Sequence, residues 1–278
     1  MPVRSVKKVL RELAKKNEGN LACHLINIEL AIRSKHRISY SPEKCLYYTK
    51  IPGQEGVVYG ASAYGLAMTV TRNNSIDRAK QLAEKYSLDT VDISDGDTVI
   101  DVGANIGEIG LYFTLVRGMH KVRYYALEPM EKEMRACQLN NPNGMVFQQA
   151  LWEEDGEFTF YQETRGRNDS SFIEPVRYDA TKKMRAMTLK SFVNQQKLEK
   201  IKVLKVEAEG GEPEVIRGCV GVLDRIAYIA ADLGPERGPN MAHTLPEVAN
   251  FLHMHGFEMA GMNKKTATNY LFRNTRYD

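Results

Sequence analysis

The chain has 278 residues, 43% apolar, 26% charged and 9% aromatic, a globular composition that excludes a collagenous, disordered or disulfide-scaffold protein. Lys and Arg total 38 against 35 Asp and Glu, a balance of +3, too small to make a phosphate-binding surface by itself. Cys23, Cys45, Cys137 and Cys219 form no CxxC pair and have no histidines at ligand spacing, so neither a zinc site nor a disulfide framework is expected, and reduced thiols in a cytoplasm fit. No stretch reaches the roughly 18–20 apolar residues of a membrane span, and the charged N-terminal segment lacks the apolar run of a signal peptide.

In chain order, Val3, Val6, Val9, Leu10 and Leu13 recur at helical spacing among Arg4, Lys7, Lys8, Arg11, Lys15 and Lys16, predicting a basic amphipathic helix over residues 3–16. Its apolar stripe is expected to pack on the parent domain or across a homo-oligomer, with an anionic membrane surface as the alternative. Leu25–Ile32, Leu46–Ile51, Val57–Gly60 and Tyr64–Val70 read as short β-rich runs between turn segments. They predict a strand-rich cap over residues 1–90. Ser75 offers an N-cap for a helix through SIDRAKQLAEKYSL, and the composition changes near residues 73–95.

Beyond residue 91 apolar strands alternate with helices: Thr98–Val102, helix Ile106–Val116, Arg123–Leu127, helix Met130–Leu139, Met145–Gln149, Lys202–Val206, a short helix from Pro213, Ile226–Ala231 and helix Leu245–His255. This predicts a doubly wound, mostly parallel sheet over 91–278. The helix-free final pair, Phe257–Met262 and Thr268–Phe272, is expected as an antiparallel hairpin on the sheet edge.

The strongest local signal is GDTVIDVGANIGEIGLYF, where a strand enters a glycine turn that opens a helix. Gly103 and Gly107 permit close approach of the backbone to a ligand, and the helix start presents N–H groups. The next strand ends in Glu128, placed as the acid that accepts hydrogen bonds from ribose hydroxyls in nucleotide-binding α/β folds. A dinucleotide fingerprint wants a second glycine where Asn105 stands. Asp101 and Asn105 suit the zwitterionic tail of S-adenosylmethionine better than a pyrophosphate. Lys205, Glu207 and Glu209 alternate near the end of the apolar run 201–206, as charged groups needing partners or a ligand.

These pieces, with YALEP at 125–129, QALWEEDGEFTFY at 149–161, SSF at 170–172, MTLKSF at 187–192 and LKVEAEGGEPEVIRG at 204–218, resemble the FkbM-type S-adenosylmethionine-dependent methyltransferases over roughly residues 90–260. Glu207 stands where the family's run carries aspartate, and Lys190 where it carries an acid after Thr-Leu. The resemblance implies a Rossmann-like class I methyltransferase with a seven-stranded sheet, S-adenosylmethionine as cofactor and S-adenosylhomocysteine as product. By it, Asp101, Gly103, Asn105, Gly107 and Glu128 line the cofactor, and Gln149 and Ala150 border the adenine. It further implies O-methylation of a hydroxyl on a sugar, glycan or polyketide-type natural product.

An alcohol acceptor needs a general base. The candidates are Glu209, Glu207, Asp232 at the end of strand 226–231, and His243 in the loop GPERGPNMAHT. No compact carboxylate cluster supports a metal, and none is expected. The alternatives are an RNA or protein methyltransferase held by the basic N-terminal helix, a non-catalytic cofactor-binding module, and a nicotinamide dehydrogenase. Near-neutral charge speaks against nucleic acid, and Asn105 against the dehydrogenase.

Overall fold

The computed structural model describes residues 3–31, 36–72, 74–163 and 170–277. The N-terminal region comprises α1 (Val3–Lys15), α2 (Gly19–Leu30), β1 (Ser39–Ser41), β2 (Leu46–Lys50), β3 (Val57–Gly60), α3 (Ala63–Arg72) and α4 (Ser75–Lys85). The expected strand-rich cap is therefore corrected. Leu25–Leu30 belongs to α2 and Tyr64–Val70 to α3, while Ile32 lies outside the described residues. In both segments buried positions at three- and four-residue intervals, Ala22, Ile26 and Leu30, then Ala63, Leu66, Ala67 and Val70, face the core. Helical burial overrides the β-propensity of their branched residues. Among the described residues of this region, only β1, β2 and β3 form a sheet, and it is antiparallel. Asn74, not Ser75, caps α4, accepting the Asp77 N–H at 2.9 Å.

Next follow β4 (Thr98–Val102), α5 (Glu108–Leu111, continued as a wider turn through Val116), β5 (Arg123–Leu127), α6 (Glu131–Asn140) and β6 (Met145–Phe147). An excursion absent from the sequence expectation comes after them: β7 (Ala150–Leu151), β8 (Gly156–Gln162) and β9 (Ala180–Met187) form a second three-stranded sheet in the order β7-β9-β8. The chain returns through α7 (Leu189–Gln195), capped by Thr188, to β10 (Ile201–Val206), α8 (Glu212–Arg217) and β11 (Ile226–Asp232). A short ribbon, β12 (Pro235–Arg237) with β13 (Ala242–His243), precedes α9 (Leu245–Met254), β14 (Phe257–Met262) and β15 (Asn269–Asn274).

The main sheet has seven strands in the order β14-β15-β11-β10-β4-β5-β6. Only β15 runs against the others, inserted between β14 and β11, so the expected antiparallel hairpin does close the edge. Strand alternation divides the core into two layers. Val99, Ala126, Val203 and Ala230 pack with α2, α3 and α4, while Ile100, Leu127, Leu204 and Ile229 pack with α7, α8 and α9. The first layer is continuous from Ala14 to Leu271, so the cap and the sheet share one core. By the same parity Asp101, Lys205 and Asp232 stand on the cap-facing side, and that placement builds the site. Among the described residues no helix is long and apolar enough to cross a membrane.

Candidate active site

Where β4 ends, Gly103 takes φ +69°, and the N–H groups of Gly103 and Ala104 both donate to the Leu127 carbonyl, at 3.0 and 3.1 Å. A Cβ on Gly103 would come within 2.1 Å of the Glu207 carbonyl oxygen, so the turn requires glycine for its conformation and for its close approach to the exit of β10. Asn105 also lies in the left-handed region, at φ +49°. Its N–H donates to Glu128 Oε2 at 2.8 Å, and the Met130 N–H donates to Oε1 at 2.9 Å. The glycine turn thus folds around the acid at the end of β5. Burial pushes the Glu128 carboxyl up to about 7, against the pull of those two donors.

Beside this turn lies a buried charge cluster. Lys205 is partnered in register with Asp101 on the adjacent strand. Its Nζ lies 3.0 Å from Asp101 Oδ1 and 3.1 Å from Glu207 Oε2, and donates to the Gly103 carbonyl at 2.8 Å. Tyr124 donates to Asp101 Oδ2 at 2.7 Å. Lys85, at the end of α4, lies 3.4 Å from Glu207 Oε1 and 2.9 Å from Asp232 Oδ2. Burial opposes the charge on Glu207, but Lys205 and Lys85 outweigh it and hold the carboxyl down to about 2. Lys205 keeps its proton because Asp101 and Glu207 overcome its own desolvation.

Above the turn and the cluster is a cavity of about 550 Å³, within the range of small-molecule sites. Asp101, Gly103, Asn105, Glu128, Lys205 and Glu207 line one side, and Gln149, Ala150 and Trp152 another. The cap contributes Lys15, Tyr47, Ser62, Tyr64 and Arg78. Trp152 and Phe172 pack with their rings 5.0 Å apart, and the Ser171 hydroxyl donates to the Ala208 carbonyl at 3.2 Å, bringing the excursion across to β10. Glu209, in the left-handed region at φ +49°, is half-buried on the cavity wall.

Three of the expected site residues lie elsewhere. Gly107 does not line the cavity. With φ +81°, a Cβ there would come within 2.1 Å of Asn141 Nδ2 and 2.7 Å of Cys137 Sγ, so this glycine serves the packing of α5 on α6. Asp232 is buried, held by Lys85 and by the Gly234 N–H at 3.3 Å. His243 is exposed on β13. Arg78, Lys85 and the aromatic cluster around Trp152 escape sequence reasoning, because the helix pattern of 75–88 marks only its buried face. The alternation of Phe158 and Phe160 in EFTFY was the available signal for the excursion. Among the described residues no group of three or more His, Cys, Asp and Glu side chains could hold a metal ion.

The residues present fit an adenosyl cofactor. The cavity sets acidic side chains, not a phosphate cradle, beside the glycine turn, and Glu128 retains acceptor capacity for hydroxyl donors.

The family model described as the methyltransferase FkbM domain matches residues 101–259, more than half of the chain. No curated protein matches it. Among solved structures, an FkbM methyltransferase from Methylobacillus flagellatus KT aligns at 12% identity with TM-score 0.47, covering 91% of this chain and 59% of that one. The chain thus spans less than two thirds of that protein's length. A SAM-dependent methyltransferase from Aquifex aeolicus aligns at 15% identity and TM-score 0.40 over 70% of this chain and 95% of its own. TrmK from M. capricolum, in complex with S-adenosyl-homocysteine, aligns at 9% identity and TM-score 0.41, covering 72% and 69%. With the family match spanning the glycine turn, Glu128, Lys205 and Glu209, the chain belongs to the FkbM methyltransferase domain family.

Proposed function

We propose that the chain methylates a hydroxyl group of a sugar, glycan or polyketide-type acceptor in the cavity between the sheet and the cap, with Glu209 as general base. The observation that carries the assignment of the base is the separation of the four candidates. Only Glu207 and Glu209 line the cavity, and Glu207, held down to about 2 by its two lysines, has little affinity for a proton.

In this reading Glu128 binds the ribose hydroxyls, Asn105 and Gly103 border the amino-acid tail, and Gln149 and Ala150 border the adenine. Asp101 and Glu207 hold Lys205, which fixes the glycine turn through the Gly103 carbonyl. When bound, S-adenosylmethionine supplies an electrophilic methyl carbon on its sulfonium. The chain's own residues orient the acceptor oxygen in line with that carbon and exclude water, and the Glu209 carboxylate takes the hydroxyl proton as the new bond forms. Residues 1–90 act as a cap on the methyltransferase domain 91–278, and Tyr47, Ser62 and Tyr64 shape the acceptor side. The chain works in the cytoplasm, where its free cysteines stay reduced, and the +3 balance argues against nucleic acid as acceptor.

The test is a calorimetric titration with S-adenosylmethionine, S-adenosylhomocysteine and NAD, followed by transfer of labelled methyl to a panel of sugar and natural-product hydroxyls. Binding of both adenosyl compounds and an alkali-stable ether product support the proposal. Label entering RNA or protein in preference to the panel overturns it.

A further inference from the structure

Helix α1 is seated on the fold by the wrong face for an ordinary amphipathic helix. Ala14 is buried, Arg11 forms an ion pair with Glu29 of α2, with Nε 2.8 Å from Oε2, and Lys15 lies over the Tyr64 ring at 4.5 Å. At about 100° per residue these positions fall on one side of the helix. Val6, Val9 and Leu13, which share an arc of about 60° on another side, are 45%, 53% and 43% exposed. The expectation that this stripe packs on the parent domain is therefore corrected for three of its members: Ala14 and basic side chains make intramolecular contacts, Leu10 is half-buried, and Val6, Val9 and Leu13 face outward. Helix α2, against which α1 packs, exposes Leu21 and Ile28 at 54% and 44%.

The charge around the stripe is concentrated. Residues 4–16 hold six Lys and Arg and one Glu, although the whole chain balances at only +3. Lys16, just past the end of α1, is exposed about 20° from the stripe, and Lys8 is exposed about 100° from its edge, on the flank toward Lys15. An apolar row in a segment with six cationic side chains and one acidic one matches the two parts of an anionic bilayer, with apolar side chains entering the acyl boundary and long ammonium side chains reaching lipid phosphates. A second copy of the chain matches less well, because a two-fold pairing through this face would oppose two cationic helices. The same helix ends at the cavity, which Ala14 and Lys15 line.

We propose that the outer face of α1, centred on Val6, Val9 and Leu13, docks the protein on an anionic lipid surface. This assignment is independent of the acceptor and the base proposed above. Docking here sets the cap edge of the cavity next to the bilayer while the chain stays outside it.

The test is flotation of the full chain with phosphatidylcholine vesicles, with and without phosphatidylglycerol. Expected are binding to the anionic vesicles that exceeds binding to neutral ones by about tenfold or more, and a similar loss in Val9→Glu/Leu13→Glu and in Lys8→Glu/Lys16→Glu. All four side chains are exposed, so both variants should melt with the wild type. That comparison separates lost docking from lost folding. The proposal is overturned if the wild type ignores anionic vesicles, or if both variants bind as well as it does. It is equally overturned if sedimentation shows a dimer that Val9→Glu/Leu13→Glu dissolves, since the stripe then belongs to a second copy.

Discussion

Lys85 Nζ, at the end of a cap helix, lies 2.9 Å from Asp232 Oδ2 at the end of β11. This contact explains why a strand-end aspartate in the expected place for a base is engaged elsewhere. Asp232 and Glu207 both converge on one amino group delivered by the cap, and the cap is thereby fastened electrostatically as well as by its shared core.

Replacing Lys85 by Met leaves Asp232 buried without its cation and Glu207 with one lysine instead of two. Because Lys85 is itself 29% exposed, solvent screening reduces the loss, and a destabilisation of about 1–3 kcal/mol is expected in denaturant unfolding. Lys85→Arg should restore most of it. Stability within about 0.5 kcal/mol of wild type for the Met variant would show that water replaces the amine without loss.

With Glu128 in the proposed ribose site, stability and cofactor binding are expected to respond to pH in opposite directions. Its folded value of about 7 exceeds the ordinary 4.5, so the folded state holds the proton more tightly. Its contribution to stability is fully present below about 4.5 and is lost as the pH rises toward 7, by about 3 kcal/mol in total. Cofactor hydroxyls favour the ionised carboxylate, so affinity for S-adenosylhomocysteine should rise across this window and level off above it. Glu128→Gln should weaken binding by about 1–3 kcal/mol and flatten both dependences. Calorimetry and urea melts at several pH values check this, and an unchanged profile would remove Glu128 from the ribose site.

Glu209→Gln and Glu207→Gln should separate chemistry from scaffolding. The first lowers turnover by about 10²–10⁴ with S-adenosylhomocysteine affinity nearly unchanged. The second leaves Lys205 with Asp101 as its remaining carboxylate, so stability falls together with turnover. His243→Ala should alter neither. Equal losses of affinity and turnover in Glu209→Gln would place that residue in the scaffold.

Two glycines in one motif should fail differently. Alanine at Gly103 strikes the Glu207 carbonyl and strains a φ of +69°, so both stability and cofactor affinity drop. Alanine at Gly107 strikes Asn141 and Cys137, so melting falls while affinity, measured well below the melting temperature, holds. A Gly107→Ala protein that folds normally but no longer binds would return that glycine to the cofactor site.

The strands of the sheet were legible because buried parallel strands are continuous apolar runs, as in Ile201–Val206, and their helices begin at recognisable turns. In the cap, local pattern and fold disagree where Leu25–Leu30 and Tyr64–Val70 carry β-branched and aromatic residues. Local propensity there is weaker than the burial of a helical face. Family resemblance points to Gln149 and Ala150, while the strands that follow them carry little apolar signal, since β8 and β9 are half-exposed and pair with each other.

By itself the sequence determined the alternation of the sheet, the glycine turn, the acid at the end of β5 and the charged run leaving β10. Each is a local pattern that elementary stereochemistry reads in place. Only the tertiary structure decided that Lys85 from the cap holds Asp232, that Gly107 serves packing and not the cavity, that His243 faces solvent, and that the apolar stripe of α1 points outward. Those facts depend on which elements meet across long separations in the chain, where burial and charge pairing between distant residues outweigh the preferences of any single segment.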